Sequence, residues 1–404
     1  MQSLVNAELA TRFPKAGGEY QYLKEAYGDF AAFFFGWVCT IFIIGAGAGT
    51  IAAALGDFAV DLFRLETKWA SPLVGCCAIA VVTTINALGL RTGAFTQNLL
   101  TFLKAAALLG IAIGAWYLSE RLTPVPDTVM VEPQEGHWLK MFTLALLPVF
   151  WSYTGATDSI RLAEEVKDVK RSLPRALFGT VAVLTIVYGL YNYTLLCALS
   201  PRDMAREPSV HTLAFAQLDG YPVGEIILVV SMLICLGSIS AVFLANVRVT
   251  YALARDGLTF RFLAGMSKHQ APIASFVLVG LIAACFVLNR SFAQILKIYF
   301  LASAFLFGLT YLSLIIFRLR DRREGRPFPS NAYRAPGGVF LVIFLILFEL
   351  VIAASLIAAD VQTWRDPSAK NTFDSFLTLA FLVAIALLYQ LWKRFFPRLD
   401  SRNT

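Results

Sequence analysis

Two stretches of this sequence place polar chemistry inside apolar surroundings. The first is Phe150–Arg175, FWSYTGATDSIRLAEEVKDVKRSLPR, in which an apolar helical pattern meets Gly155 and leaves as a charged segment. Within Tyr153-Thr154-Gly155-Ala156-Thr157-Asp158 the glycine costs a helix interior roughly 1 kcal/mol, and Thr and Asp offer side-chain bonds that compete with the helix. A helix interrupted in a bilayer frees N–H and C=O groups that lipid cannot satisfy. Such a break persists only against protein or a polar cavity, which in transporters is commonly the substrate site. The chemistry on offer is binding: carbonyls at the C-terminal end of the upper half suit an ammonium group. Asp158 or Thr157 is then placed to cap a second half-helix running towards Val169. An unbroken helix with a packing glycine, ending at Asp158, satisfies the same periodicity. The second stretch is LLTFLKAAALLGIAIGAW, where Lys104 lies roughly 10 Å along the helix from an inner end near Gln97. A cation there costs about 2.5–3.5 kcal/mol unless it is paired or reaches water. A functional lysine and one that snorkels to the inner interface both fit.

Other chemistry finds little to stand on. Glu164 and Glu165 are adjacent, so on a helix they do not share a face, and acid–base catalysis is discounted. Glu164/Lys167 and Asp168/Arg171 have the spacing of weak surface pairs on a solvated helix, which Leu173-Pro174 is expected to end. The six cysteines (Cys39, Cys76, Cys77, Cys197, Cys235, Cys285) lie in apolar runs without metal-ligand spacing, and His137, His211 and His269 are isolated. Gly45-Ala-Gly47-Ala-Gly49 imitates a phosphate loop but sits inside an apolar helix, where close helix packing is the expectation. Glu349 is expected to pair or pack locally, and Asn86, Asn246 and Arg248 are polar span residues without an assigned role. No metal, no cofactor and no enzymatic constellation is indicated.

The elements that must position these residues are membrane spans. The 404 residues are 58% apolar and 15% charged, with a mean hydropathy of +0.66; soluble domains carry about 25% charged residues. Ten apolar stretches approach the ~20 residues needed to cross a bilayer: Phe30–Leu55, Leu73–Leu90, Leu99–Leu118, Trp138–Ile160, Leu177–Leu199, Val223–Leu253, Ile273–Leu288, Phe292–Phe317, Val339–Ala359 and Phe373–Trp392. Assigned alternately, the loops on the side of Arg12–Tyr27 hold 22 of the 34 Lys and Arg. That bias makes the rich side cytoplasmic, with the C-terminus inside. The net charge of +7 therefore reports topology, not a nucleic-acid partner. The outer segment Glu207–Asp219 reads as a short amphipathic helix.

The first ten or so residues are too few to span and lack a signal-peptide pattern. If Arg12–Tyr27 is cytoplasmic, they read as the inner end of a descending helix whose remainder needs residues before Met1; a short amphipathic interfacial helix is the alternative. Gly17-Gly18 breaks any continuation.

Three motifs in order carry a resemblance. Phe13-Pro-Lys-Ala-Gly-Gly-Glu-Tyr-Gln-Tyr-Leu23 with Glu25-Ala-Tyr-Gly28 resembles the inner end of the second helix of the amino acid–polyamine–organocation (APC) superfamily. Phe150–Gly155, Ala163–Lys167 and Arg171–Ala176 resemble its sixth helix and following loop, and Val247–Gly257 the end of its eighth. The nearest likeness is to L-type and basic amino acid–polyamine permeases. The resemblance implies an all-α polytopic fold of two inverted five-helix repeats (LeuT-like), followed by two accessory helices. By that order residues 1–12 are a remnant of the second helix, 30–318 the third to tenth helices, 339–394 the accessory pair and 395–404 a cytoplasmic tail, giving an N-terminally truncated chain. It also implies transport of an amino acid or related amine by alternating access in the plasma (inner) membrane, with proton coupling or exchange as the mode. The alternative is a transport-incompetent fragment lacking half of the site. Trp151, Tyr153, Thr154, Gly155 and Ala156 match the substrate-binding break, and Lys104 matches a fifth-helix lysine that steadies the first helix and is associated with coupling. The sequence departs from the pattern after Gly155, where Ala156 replaces a frequent aromatic, and near Val169, where a proline is common.

Overall fold

A computed structural model describes residues 1–15, 17–118, 138–200, 204, 210, 223–269, 271–330, 332–364 and 374–395. Every regular element among them is helical. In order they are α1 (Gln2–Arg12), α2 (Glu19–Tyr27), α3 (Asp29–Val38), a π-helical segment (Cys39–Ala46), α4 (Gly47–Phe63), α5 (Ala70–Ala87), α6 (Leu90–Leu118), α7 (Trp138–Thr154), a 3-10 segment (Gly155–Glu165), α8 (Val169–Ala198), α9 (Val223–Arg255), a 3-10 turn (Arg261–Ala264), α10 (Ile273–Asn289), α11 (Phe292–Arg323), α12 (Gly338–Trp364) and α13 (Asp374–Phe395). Seven helices among the described residues are long and apolar enough to cross a membrane. The ten stretches foreseen from hydropathy all fall on helical elements, Phe30–Leu55 across α3, the π segment and α4 and Trp138–Ile160 across α7 and the 3-10 segment. The segment expected at Glu207–Asp219 lies outside the described residues, Val210 apart.

The α3–π–α4 rod forms the centre. Its most apolar window is 83% buried and that of α11 67%, whereas the five other such spans run from 17 to 39%. Small residues let neighbours approach this rod. A Cβ on Gly45 would stand 2.5 Å from Ile282 Cγ2, one on Gly49 3.2 Å from the carbonyl of Ala283, and one on Gly75 2.8 Å from the carbonyl of Ala52. The glycine run is thus a packing seam, as its setting predicted. It is not one continuous α-helix, because the π turn runs through Gly45. α11 opens on a capping box: Ser291 N–H donates to Gln294 Oε1 at 2.9 Å while the Ser291 side chain accepts from the helix backbone.

One alternative falls and one expectation needs correction. α1 is no interfacial amphipathic helix: Val5, Ala7, Glu8, Leu9 and Ala10 are fully buried, packed among α8, α11 and the 3-10 segment. Its inner end is fixed by charge. Glu8 holds Arg12 (3.1 Å) and Arg318 (3.0 Å) and accepts from the Ala335 N–H at 2.7 Å, while Arg12 pairs with Asp321 at 2.7 Å. Nor is Ala163–Arg175 a solvated helix ended by Pro174. Ala163 and Leu173 are buried, α8 starts at Val169 behind an extended Val166, and Pro174 lies inside its first turns.

The ion pairs respect the alternating loop assignment. Arg12–Asp321, Lys24–Asp256, Arg161–Glu19 and Arg318–Glu8 join segments on the Lys/Arg-rich side; Arg290–Asp374 and Lys297–Asp360 join segments on the other.

Candidate functional site

The helix that reaches Thr154 does change at Gly155, into an eleven-residue 3-10 segment. Runs of 3-10 beyond three or four residues are uncommon because their hydrogen bonds are poorer, and a run inside a longer element marks a hinge or a strained sequence. The hydroxyls of the sequence serve the junction: Thr154 Oγ1 donates to the Trp151 carbonyl at 2.9 Å, and Thr157 Oγ1 to that of Thr154 at 3.3 Å. Gly155 is exposed, and a Cβ on it would meet nothing within 4 Å. Among the described residues nothing packs against Gly155 closely enough to need a glycine there. The expected second half-helix capped by Asp158 or Thr157 is also absent. The next α-helix begins at Val169 after Asp168, whose φ of 48° is left-handed.

The flanking aromatics diverge, as residues two apart on a helix must. Trp151 stands edge-on to Tyr299 of α11, with ring centroids 4.8 Å apart. Tyr153 turns to α8, edge-on to Tyr188 at 5.7 Å and donating to Thr185 Oγ1 at 3.2 Å. Ala156 and Thr157 are buried. Through the Trp151–Tyr299 contact α11 stands beside the break, which hydropathy could not reveal. Lys104 does not reach this segment. α6 begins at Leu90, which puts Lys104 about 21 Å along the helix, and its Nζ donates to Ser238 Oγ of α9 at 2.8 Å.

The group that sequence reasoning missed is Arg161, at the start of the charged segment. It is buried, and it donates through Nε and Nη2 to the two oxygens of Glu19 (3.0 and 3.1 Å) and through Nη1 to Asp158 Oδ1 (2.7 Å) and to Asn246 Oδ1. Glu19 belongs to α2, Asp158 and Arg161 to the 3-10 segment and Asn246 to α9, so one guanidinium ties three elements together. Gly18 makes room: with φ of 50°, its Cβ would lie 2.9 Å from Arg161 Cγ. Two signals were present in the sequence, an unexplained Asn246 in a span and a Gly-Gly-Glu run beside a helix end. Glu349, by contrast, behaves as expected, buried with the Tyr311 hydroxyl at 3.5 Å. Among the described residues no three His, Cys, Asp or Glu side chains gather as a metal site.

The larger of two described cavities, about 580 Å³, contains none of the foreseen site residues. It opens where Lys15–Lys24 meets the end of α9 and the loop to α10.

With this geometry in place, comparison with known proteins is informative. The family model for amino acid permeases matches residues 1–388. The b(0,+)-type amino acid transporter 1 of Homo sapiens is 25% identical over 356 residues, 86% of this chain and 72% of that protein. The serine/threonine exchanger SteT of Bacillus subtilis (strain 168) is 26% identical over 374 residues, 89% and 80% respectively. Human Asc-type amino acid transporter 1 is 25% identical over 361 residues, covering 86% and 68%. These relatives are transporters and exchangers, not enzymes. The chain is a multi-pass helical membrane protein and belongs to the amino acid permease family of the APC superfamily.

Proposed function

We propose that this chain is a secondary transporter that moves an amino acid or a related amine by alternating access, with the break at Gly155 as one wall of the substrate site. The observation that carries the reading is the exposed junction itself: an α-helix gives way to 3-10 geometry beside open space, at a glycine with no packing role. Irregular backbone at membrane depth needs such a cavity, and backbone carbonyls there suit an ammonium group. Trp151, Thr154 and Ala156 are the neighbouring contacts proposed on this side, with Tyr299 behind them; Tyr153 is proposed to gate from the α8 side. Lys104, held on α9 by Ser238, is the proposed coupling residue. Residues 30–318 are the proposed core and 339–394 the accessory helices.

Exchange is the proposed mode, supported by the relative named as a serine/threonine exchanger. The Lys/Arg bias supports a cytoplasmic C-terminus and a plasma (inner) membrane setting. The test is uptake of radiolabelled amino acids into liposomes bearing the purified protein, loaded inside with unlabelled amino acid or left empty. Uptake that needs internal amino acid supports exchange. Replacing Gly155 with leucine should abolish uptake while insertion persists, and unchanged uptake refutes the site.

A further inference from the structure

The 580 Å³ cavity described above has its own charge character. Lys15, Lys24, Arg248 and Arg255 line it against Glu164 and Asp256, a formal surplus of two positive charges. Asp256 is engaged already by the Tyr20 hydroxyl at 2.7 Å and by Lys24. Arg248 and Arg255 lie seven residues apart on α9, two turns along one face and about 10 Å apart along the axis. Behind these cations the wall is apolar, from Leu244 and Val247 to Phe276 of α10. Lys15, Lys24 and Arg255 come from segments on the Lys/Arg-rich side, and Arg248 lies two turns deeper in α9.

We propose that this cavity binds a phosphate-bearing anion, either the headgroup of an anionic phospholipid or a soluble phosphate. Guanidinium forks match phosphate oxygens with two parallel bonds, and basic pockets between helices on the cytoplasmic side suit anionic headgroups. The apolar back wall gives the glycerol and upper acyl carbons of a lipid a place that water-solvated inorganic phosphate does not need. A zwitterionic amino acid fits poorly, because its ammonium meets the same surplus of positive charge. A bound phosphate spanning Lys15 and Arg255 would brace the loop before α2 against the end of α9, beside the contacts that Asp256 already makes.

The test uses the full-length protein purified in detergent, with native mass spectrometry and thermal melting as readouts. Three conditions are compared: added phosphatidylglycerol, added phosphatidylcholine, and inorganic phosphate without lipid. Stabilisation and a bound mass with phosphatidylglycerol alone assign the headgroup; stabilisation by inorganic phosphate assigns the soluble source. In either case Lys15→Gln with Arg255→Gln should weaken binding by about tenfold or more per cation removed, and Arg255→Lys should recover part of it. The conservative variant guards against misreading a folding failure. Equal binding by wild type and double variant, equal binding of phosphatidylglycerol and phosphatidylcholine, or no binding of any of the three overturns the proposal. Displacement of the bound phosphate by amino acids also overturns it, because that outcome assigns the cavity to the substrate's route.

Discussion

Replacing Arg161 with leucine is the most decisive perturbation of this fold. The guanidinium is 4% exposed and Glu19 3%, with N–O distances of 3.0 and 3.1 Å between them. Removing the cation leaves the Glu19 carboxylate buried and unpaired, a loss that runs to about 3–5 kcal/mol for buried pairs. The Asp158 contact adds little to this figure, because that carboxylate is 30% exposed and solvent screens it. The expectation is therefore asymmetric. Arg161→Leu should destabilise by about 3–5 kcal/mol, Asp158→Asn by about 1 kcal/mol or less. The double variant Glu19→Gln with Arg161→Leu should recover a substantial part of the loss, since the charge left stranded by the single change is gone. Arg161→Lys should fall between, as an ammonium cannot hold both oxygens of Glu19 and Asp158 in the same fork geometry. Denaturant titration of the purified protein in mixed micelles, followed by tryptophan fluorescence, measures all four. A loss under about 1 kcal/mol for Arg161→Leu, which is what an exposed pair gives, refutes the buried-clamp reasoning. So does a double variant no more stable than the single one.

Gly155→Leu should leave stability within about 1 kcal/mol of the parent, because a leucine there meets open space and has better helix propensity, while liposome uptake disappears; loss of fold and uptake together contradicts the site assignment. Gly75→Ala should do the reverse, since its Cβ would stand 2.8 Å from the Ala52 carbonyl. Overpacking of that kind costs about 1–3 kcal/mol, readable as a lower melting temperature. Lys104→Ala breaks the 2.8 Å bond to Ser238 and should slow transport or uncouple it from its driving gradient; kinetics unchanged from acidic to neutral pH remove the proposed role. Glu8→Gln should loosen α1 from the loop that follows α11, because Glu8 gathers Arg12, Arg318 and the Ala335 N–H while fully buried. Faster proteolysis of the Glu324–Gly337 loop is the expected signature, and unchanged cleavage counts against the latch.

Hydropathy was enough to locate the spans, because burial in lipid requires nothing more specific than length and apolarity. The residues around Gly155 also marked a place where the helix could break, but an unbroken helix satisfied the same periodicity, and it is the 3-10 segment that distinguishes the two. What hydropathy could not supply was the geometry after the break. A 3-10 segment and a capped half-helix demand similar residue types, and the choice between them is made by tertiary contacts that Arg161 forms with Glu19 and Asn246, residues 142 and 85 positions away. The partner of Lys104 was hidden for the same reason. Ser238 is an unremarked polar residue in an apolar helix, and only the crossing of α6 with α9 brings it to the ammonium. The interfacial-helix alternative for α1 falls because Glu8 and Arg12 are buried with partners that lie more than 300 residues on.

The two irregular stretches in the spans sharpen the assignment of a site. Backbone that departs from α geometry inside a membrane must be enclosed by protein or must line a cavity, and this chain does each once. The π segment Cys39–Ala46 takes the first course, with all but Ile41 buried. Thr40 returns its hydroxyl to the Gly36 carbonyl at 2.7 Å and meets Thr250 at 2.9 Å, so its irregularity is satisfied internally. The 3-10 segment differs at its first residue, where Gly155 is exposed, while Ala156, Thr157, Ile160 and Arg161 after it are buried. Tyr299 lies between the two, its ring 3.4 Å from where a Cβ on Gly47 would be and edge-on to Trp151. A π turn packed at every residue but Ile41 has no room for a ligand, whatever the glycine run that begins in it resembles. A 3-10 junction that is open at one end and clamped by a buried guanidinium at the other has both a vacancy to fill and a fixed point to move against. That contrast, more than the presence of glycine in either stretch, is the ground on which we propose the site at Gly155.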